Sequence, residues 1–165
     1  MILVDANLLI YAGVKDQAEH PAAEAWLRQQ VTIGHRIGIP WQSLLAFLRI
    51  TANPRLFARP ATIEDALSMV EAWLRLPMVW VPQPTERHTQ ILGGLLREVN
   101  AQGNLINDAH LAALAIEHGL QLCSTDGDFA RFDGLRWTNP LKKIIPKPDE
   151  RAVGNQIRLL PCIIL

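Results

Sequence analysis

Met1-Ile2-Leu3-Val4-Asp5-Ala6-Asn7 opens the chain with an apolar run that meets an acid and an amide at once. Apolar residues on consecutive rather than alternate positions mark a strand buried on both faces, the condition of strands in a parallel sheet. Working outward, Leu8 to Ala12 reads as a short helix, and Pro21 to Gln30 as a longer one with Ala22, Ala25, Trp26 and Gln29 on neighbouring turns. Ile37-Gly38-Ile39 fits a second strand, and Pro40 suits the first turn of a helix from Trp41 to Thr51. That helix carries Leu44, Leu45, Phe47 and Leu48 and stops before Asn53-Pro54. Thr62 to Leu76 has a Thr cap with Glu64 and Asp65 in its first turn. There follow a strand at Met78–Val81, a capped helix from Thr85 to Ala101 ended by Gly103, a helix from Ile106 to His118 stopped at Gly119, and strands at Leu120–Ser124 and Arg136–Thr138. Strands alternating with helices define an α/β domain with a central, mainly parallel sheet flanked by helices.

A chain of 165 residues buries a sufficient core as one domain without disulfides or a structural metal. The domain is read as residues 1–141, followed by a basic extension at 142–165; residues 144–165 fit neither period and contain three of the eleven prolines. The 16 basic side chains balance the 16 acidic ones, which at first argues against a nucleic-acid partner. The balance is uneven, however. Residues 1–141 hold 11 basic and 14 acidic side chains, a net of −3, whereas residues 142–165 hold 5 and 2, a net of +3. No apolar run approaches the roughly 20 residues that span a bilayer, and an N-terminus without a basic region is not read as a signal peptide. Cys123 and Cys162 are too few and too far apart for a disulfide framework or a zinc site. A reduced, cytoplasmic protein is expected.

The acids then need an account. In a parallel sheet, ligands gather outside the carboxyl ends of the strands. Asp5 directly follows the first strand, Asp126 and Asp128 follow the strand ending near Ser124, and Asp108 lies in the first turn of the helix leading into that strand. Clustered carboxylates raise one another's pKa unless a cation neutralises them. Oxygen-only ligands favour Mg²⁺ or Mn²⁺ over zinc, and such an ion suits phosphodiester hydrolysis. Each acid also has an ordinary reading: Asp108 complements a helix dipole, and Asp126-Gly127-Asp128 resembles a common turn. Asp5 is harder to explain that way, because an unpaired acid closing an apolar strand is costly.

Three blocks carry a resemblance: Met1-Ile-Leu-Val-Asp5-Ala-Asn7-Leu-Leu-Ile-Tyr11, Asn107-Asp108-Ala-His-Leu-Ala-Ala-Leu-Ala115 and Ser124-Thr-Asp126-Gly-Asp128-Phe129. In this order, and from Met1 to about Leu141, the chain resembles the PIN domain of VapC-type toxins. The resemblance implies a three-layer PIN-like fold. It also implies a Mg²⁺- or Mn²⁺-dependent endoribonuclease, the toxin of a type II toxin–antitoxin pair, held in check by a VapB-type antitoxin whose C-terminal segment crosses the active site. By motif, Asp5, Asp108 and Asp126 are implied metal ligands and Asp128 a further catalytic acid. Asn7 and Thr125 are expected to orient these carboxylates through hydrogen bonds. His110, two residues beyond Asp108, is read as structural or surface. The chain departs from the family at one place: most PIN domains carry a Glu in the helix after the second strand, and Ala46 stands about there in Trp41-Gln-Ser-Leu-Leu-Ala46. The missing acid weakens the case for a pair of protein-held ions about 3.5–4 Å apart. Gln42, one turn earlier, offers a neutral oxygen, and Glu24 is a remoter donor.

The body's cations are ten Arg and one Lys, and Arg suits bidentate phosphate contact. Arg49, on the helix of the missing acid, is the expected substrate contact, with Arg131 and Arg136 as weaker candidates. Lys142, Lys143 and Lys147 offer an extension of an RNA path. Trp residues at helical spacing are read as core, Trp41 being the least certain of the five. A homodimer is also implied, with apolar surface from Trp41 to Phe57 and from Ala66 to Trp73 available to it or to the antitoxin. Two other classes stand against the ribonuclease. One is a catalytically weakened PIN-like module that binds antitoxin or RNA without cleavage, motivated by Ala46. The other is a phospho-acceptor receiver domain, disfavoured because the body's one Lys, Lys15, is not after a late strand.

Overall fold

The apolar run that opens the chain lies at the centre of a five-stranded sheet. A computed structural model describes residues 1–143. In chain order the elements are β1 (Ile2–Val4), α1 (Ala6–Gly13), α2 (His20–Thr32), β2 (Ile37–Gly38), α3 (Trp41–Thr51), α4 (Ile63–Leu74), β3 (Val79–Trp80), α5 (His88–Glu98), α6 (Leu105–Glu117), β4 (Gln121–Cys123) and β5 (Trp137–Thr138). Short 3₁₀ turns occupy Gly127–Arg131 and Pro140–Lys143. The strand order is β3-β2-β1-β4-β5, with every pairing parallel. The α/β fold with a parallel sheet flanked by helices is therefore borne out.

Burial on both faces explains the unalternating sequence of β1. Ile2 and Val4 pack with Leu8, Trp26, Phe47 and Trp73 on the side of α1 to α4. Leu3 packs oppositely, with Leu95, Leu111 and Phe129 on the side of α5 and α6. Phe47 meets Trp73 edge to face, ring centroids 4.8 Å apart, joining α3 to α4. Three layers result.

Helix ends differ from the sequence reading for local reasons. α1 begins at Ala6 because the Asp5 carboxylate accepts a bond from the Ala6 N–H at 2.6 Å and caps the helix. α5 begins at His88, not Thr85: the Thr85 hydroxyl accepts from Arg87 N at 3.2 Å and donates to Glu117 Oε2 at 2.7 Å, so Thr85 closes a turn ahead of the helix and ties it to α6. Its end comes at Glu98, where Asn100 takes the left-handed conformation (φ 48°) in place of Gly103. Thr62 caps α4 as expected, accepting from Asp65 N at 3.1 Å, and Gly119 (φ 63°) stops α6. Residues 144–165, and with them Lys147 and the bulk of the extension, lie outside the described residues; Lys142 is exposed in the Pro140–Lys143 turn.

Because all strands run the same way, their carboxyl ends share one edge. Strand order reverses between β1 and β4, the switch point where open α/β sheets bind ligands. Asp5 and Ser124 emerge there side by side, with Asp5 N bonded to the Cys123 carbonyl at 3.1 Å.

Candidate active site

Asp5 is fixed from several directions at once. Its Oδ1 accepts from Ala6 N, while Oδ2 accepts from Asn7 Nδ2 at 2.9 Å and from the Ser124 hydroxyl at 2.7 Å. Burial pushes its carboxyl above the usual 3.8; the Ser124 and Ala6 hydrogen bonds oppose the rise, and the charge of Asp126 adds to it. The Asn7 amide thus shares Asp5 Oδ2 with the Ser124 hydroxyl.

Ser124 is the residue that sequence reasoning missed. Fully buried, its hydroxyl donates to Asp5 and accepts from Asn7 Nδ2 at 2.9 Å and Asp126 N at 3.0 Å. One oxygen thus links the acid after β1 to the loop after β4. Trp137 Nε1 donates to the Ser124 carbonyl at 3.1 Å and steadies the position from behind. Thr125 contributes through its backbone, its N–H lying 3.4 Å from Asn7 Oδ1; among the described residues its hydroxyl bonds to no carboxylate. A polar residue at a strand end in Ser124-Thr125-Asp126 was the available signal, but the sequence does not say which of the two hydroxyls turns inward.

Asp126 and Asp128 share the exposed 3₁₀ turn, where Asp126 Oδ1 accepts from Asp128 N at 2.9 Å. The ordinary turn reading is therefore structurally correct too: one carboxylate oxygen caps the turn and the other remains available. Asp108 comes from the opposite side, in the first turn of α6 and half-buried. Its carboxyl is pushed up to about 6 by burial, then by the charges of Asp126, Asp5 and Asp128. Asp108 thus feels the charges of Asp5, Asp126 and Asp128 across the strand ends, and Asp5 that of Asp126. No group of three or more His, Cys, Asp or Glu side chains among the described residues is arranged to hold a metal ion by itself. What the structure brings together is an electrostatic cluster of oxygen donors, the chemistry that suits a hard divalent cation.

Other candidates separate. Arg49 is exposed in the last turn of α3 and makes no salt bridge among the described residues. Arg131 is exposed at the end of the 3₁₀ turn, beside the acids in sequence. Arg136 is corrected: its guanidinium donates to the Gly119 carbonyl, beyond the opposite end of β4, so it serves the fold rather than the strand-end cluster. Glu24 pairs with Arg28 on the exposed face of α2 at 2.6 Å, away from the acids. Gln42 donates from Nε2 to the Asn107 carbonyl at 2.8 Å. His110 is structural: its Nδ1 shares a 2.8 Å hydrogen bond with His88 Nε2, and His88 Nδ1 donates to Glu117 at 2.8 Å. Trp26 and Trp73 are core, whereas Trp41 remains 49% exposed and alone of the five stands open to solvent.

A three-layer α/β sheet with acids at its switch point defines a class of nuclease-like domains, and comparison places the chain within it. The PIN-domain family profile matches residues 2–135, and the chain belongs to that family. Its relatives are ribonucleases. It is 43% identical to Ribonuclease VapC37 of Mycobacterium tuberculosis over 140 residues, which is 85% of this chain and 97% of that protein. It is 39% identical to Ribonuclease VapC33 of the same organism over 143 residues, covering 87% of this chain and all of that protein. In fold it is similar to VapBC2 from Rickettsia felis, solved bound to a DNA fragment from its promoter, with TM-score 0.64, 20% identity and coverage of 84% and 98%. It is also similar to the Mycobacterium tuberculosis sarcin-ricin loop cleaving toxin VapC20, with TM-score 0.58, 20% identity and coverage of 82% and 99%. No helix among the described residues is long and apolar enough to cross a membrane.

Proposed function

We propose that the protein is a Mg²⁺- or Mn²⁺-dependent endoribonuclease, the toxin of a VapBC-type pair, with Asp5, Asp108 and Asp126 as ligands of the cation and Asp128 as a further acid of the site. The observation that carries this reading is the convergence at the carboxyl edge of the sheet, where Ser124 ties Asp5 to the Asp126 loop and Asp108 is pushed up to about 6 by burial and then by the charges of Asp126, Asp5 and Asp128. Such a cluster is unfavourable on its own and becomes favourable around a divalent cation. Asp126 and Asp128 are exposed, and one Asp126 oxygen is held by Asp128 N, leaving the other open to an ion. When bound, the ion supplies charge neutralisation at the phosphodiester and a water of lowered pKa. The chain's own residues do the rest. Ser124 and Asn7 hold Asp5 in one orientation, and Arg49 on the exposed side of α3 takes an RNA phosphate.

Residues 1–141 form the nuclease domain on this reading, and 142–165 a separate basic extension. A VapB-type antitoxin and a second copy of the chain are the protein partners. Trp41, Leu45, Leu56, Ile63 and Leu67, all exposed on α3, α4 and their connection, provide apolar surface for them. The cytoplasm is the compartment that supplies RNA and antitoxin and keeps the buried Cys123 reduced.

The test is cleavage of total RNA by the purified full chain with Mg²⁺ or Mn²⁺, beside Asp5→Asn and an EDTA control. Cleavage by wild type alone supports the assignment. Absence of cleavage across RNAs and both metals, with antitoxin binding intact, would instead establish the binding module that the Ala46 departure favours.

A further inference from the structure

The two helical layers are held apart by the sheet, with α3 packing on α1 and α4 and α6 packing on α5. At the carboxyl edge of the sheet a direct bond joins them: Gln42 Nε2 in the first turn of α3 donates to the Asn107 carbonyl, the residue before Asp108, at 2.8 Å. Neither helix has a side-chain cap of its own, since Pro40 precedes α3 and Asn104 makes no cap bond to α6. The start of α6 is therefore tied down from the other layer. Gln42 Oε1 is sealed from solvent with no partner among the described residues. Reversing the amide would set that oxygen against the Asn107 carbonyl, so the surroundings enforce the donating orientation and leave an acceptor unsatisfied. Ala46, one turn further along α3, brings no carboxylate to this seam.

We propose that Gln42 is a positioning residue of the ribonuclease, bridging the two layers at Asn107 so that Asp108 is presented to Asp5 and Asp126. The inference rests on the reading of these acids as the cation site. It assigns α3 a neutral role in place of the acid that most family members carry there: the helix sets the geometry of a ligand instead of supplying one. Partners that orient metal ligands typically change metal affinity by about 10–100-fold when removed.

The experiment measures Mn²⁺ affinity of the full chain by calorimetry and steady-state cleavage of RNA, for wild type, Gln42→Met and Asp108→Asn. Gln42→Met keeps the length and loses the donor. The expected result is Mn²⁺ affinity weakened about tenfold and kcat lowered, with KM for RNA unchanged. Gln42→Asn keeps an amide but is one methylene short of Asn107, gives the same result, and decides the matter if Gln42→Met does not fold by circular dichroism. Wild-type Mn²⁺ affinity and kcat in a folded Gln42 variant, whatever its Tm, would overturn the proposal by reducing Gln42 to a structural contact. If Asp108→Asn also binds Mn²⁺ as wild type does, the cation site itself has been misassigned and the role of Gln42 falls with it. Loss in Asp108→Asn alone isolates the failure to Gln42.

Discussion

Replacing Asp108 by Asn removes one charge from the cluster while preserving shape, and its effect on stability has a calculable sign. The folded carboxyl is pushed up to about 6 from the usual 3.8. A carboxyl with a raised folded pKa stabilises the fold while protonated. That contribution is fully present below 3.8 and is lost as pH rises through about 6. A rise of that size corresponds to about 3 kcal/mol in a fully dry setting. The half-exposed side chain retains about a third of it after solvent screening, about 1 kcal/mol. In EDTA at about pH 7.5, Asp108→Asn is therefore expected to be more stable than wild type by about 1 kcal/mol, a Tm higher by about 3–4 °C for a domain of this size. The gain should shrink through the titration and vanish near pH 4. Saturating Mn²⁺ should reverse the order, because an ion at about 100 times its Kd adds about 2.7 kcal/mol only to the protein that binds it. Thermal unfolding by circular dichroism across this pH range, with EDTA and with Mn²⁺, measures all of this. A variant no more stable than wild type in EDTA, or a difference independent of pH, would refute the electrostatic reasoning.

Ser124→Ala takes the buried hydroxyl acceptor from the Asn7 amide and the Asp126 N–H and one of three hydrogen bonds from Asp5; a loss of about 1–3 kcal/mol in urea unfolding is expected, together with lowered cleavage. Arg49→Ala should raise KM for RNA about tenfold with little change in kcat, the value of one charged phosphate contact; an unchanged KM removes Arg49 from the substrate path. The bonds joining α5 to α6 make the fold acid-sensitive. Burial raises the Glu117 carboxyl, but the Thr85 and His88 bonds outweigh this and hold it below 4.5, so its contribution is lost as pH falls through its folded value. Burial and the His88 charge, against the pull of Glu117, hold His110 below 6.5, so protonation below that pH favours the unfolded chain. Glu117→Gln and His110→Phe should each flatten the acid limb of the stability profile, the opposite of the effect of Asp108→Asn.

The frame of this site was legible because it depends on residue types that have few other uses. An apolar run buried on both faces had to be a central parallel strand, and an acid closing it had to lie at the carboxyl edge of the sheet. Helix 41–51 was read correctly because Pro40 and Asn53-Pro54 bracket it by steric rules that act within a few residues. The start of α5 was placed three residues early, because Thr85 makes its local bond to Arg87 N in a turn before the helix and also bonds Glu117, 32 residues away, and a local capping preference carries no information about such a distant partner. Ser124 and Gln42 were obscured for the same reason. A serine or a glutamine has several ordinary partners nearby, and only the packed fold decides which of them it meets. Arg136 shows the converse, since closeness to Asp128 in sequence placed it at the site while the short 3₁₀ turn and the loop before β5 carried it to the far end of β4.

The cluster also bears on the neutral total charge. An acid at position 46 would add another negative side chain to a cluster in which Asp5 and Asp108 are already raised, deepening the repulsion in the ion-free fold while tightening the ion on the proposed reading. Ala46 with a neutral Gln42 at the layer seam shifts that balance the other way, towards a less strained ion-free protein and a weaker hold on the cation. If the proposed cation binds here, phosphate oxygens of RNA would complete its coordination. By thermodynamic reciprocity, RNA must tighten the ion by the same factor that the ion tightens RNA. A body of net charge −3 is compatible with an RNA enzyme on the proposed reading, in which the positive charge that the substrate meets would arrive with the ion and with a few arginines rather than from a basic face.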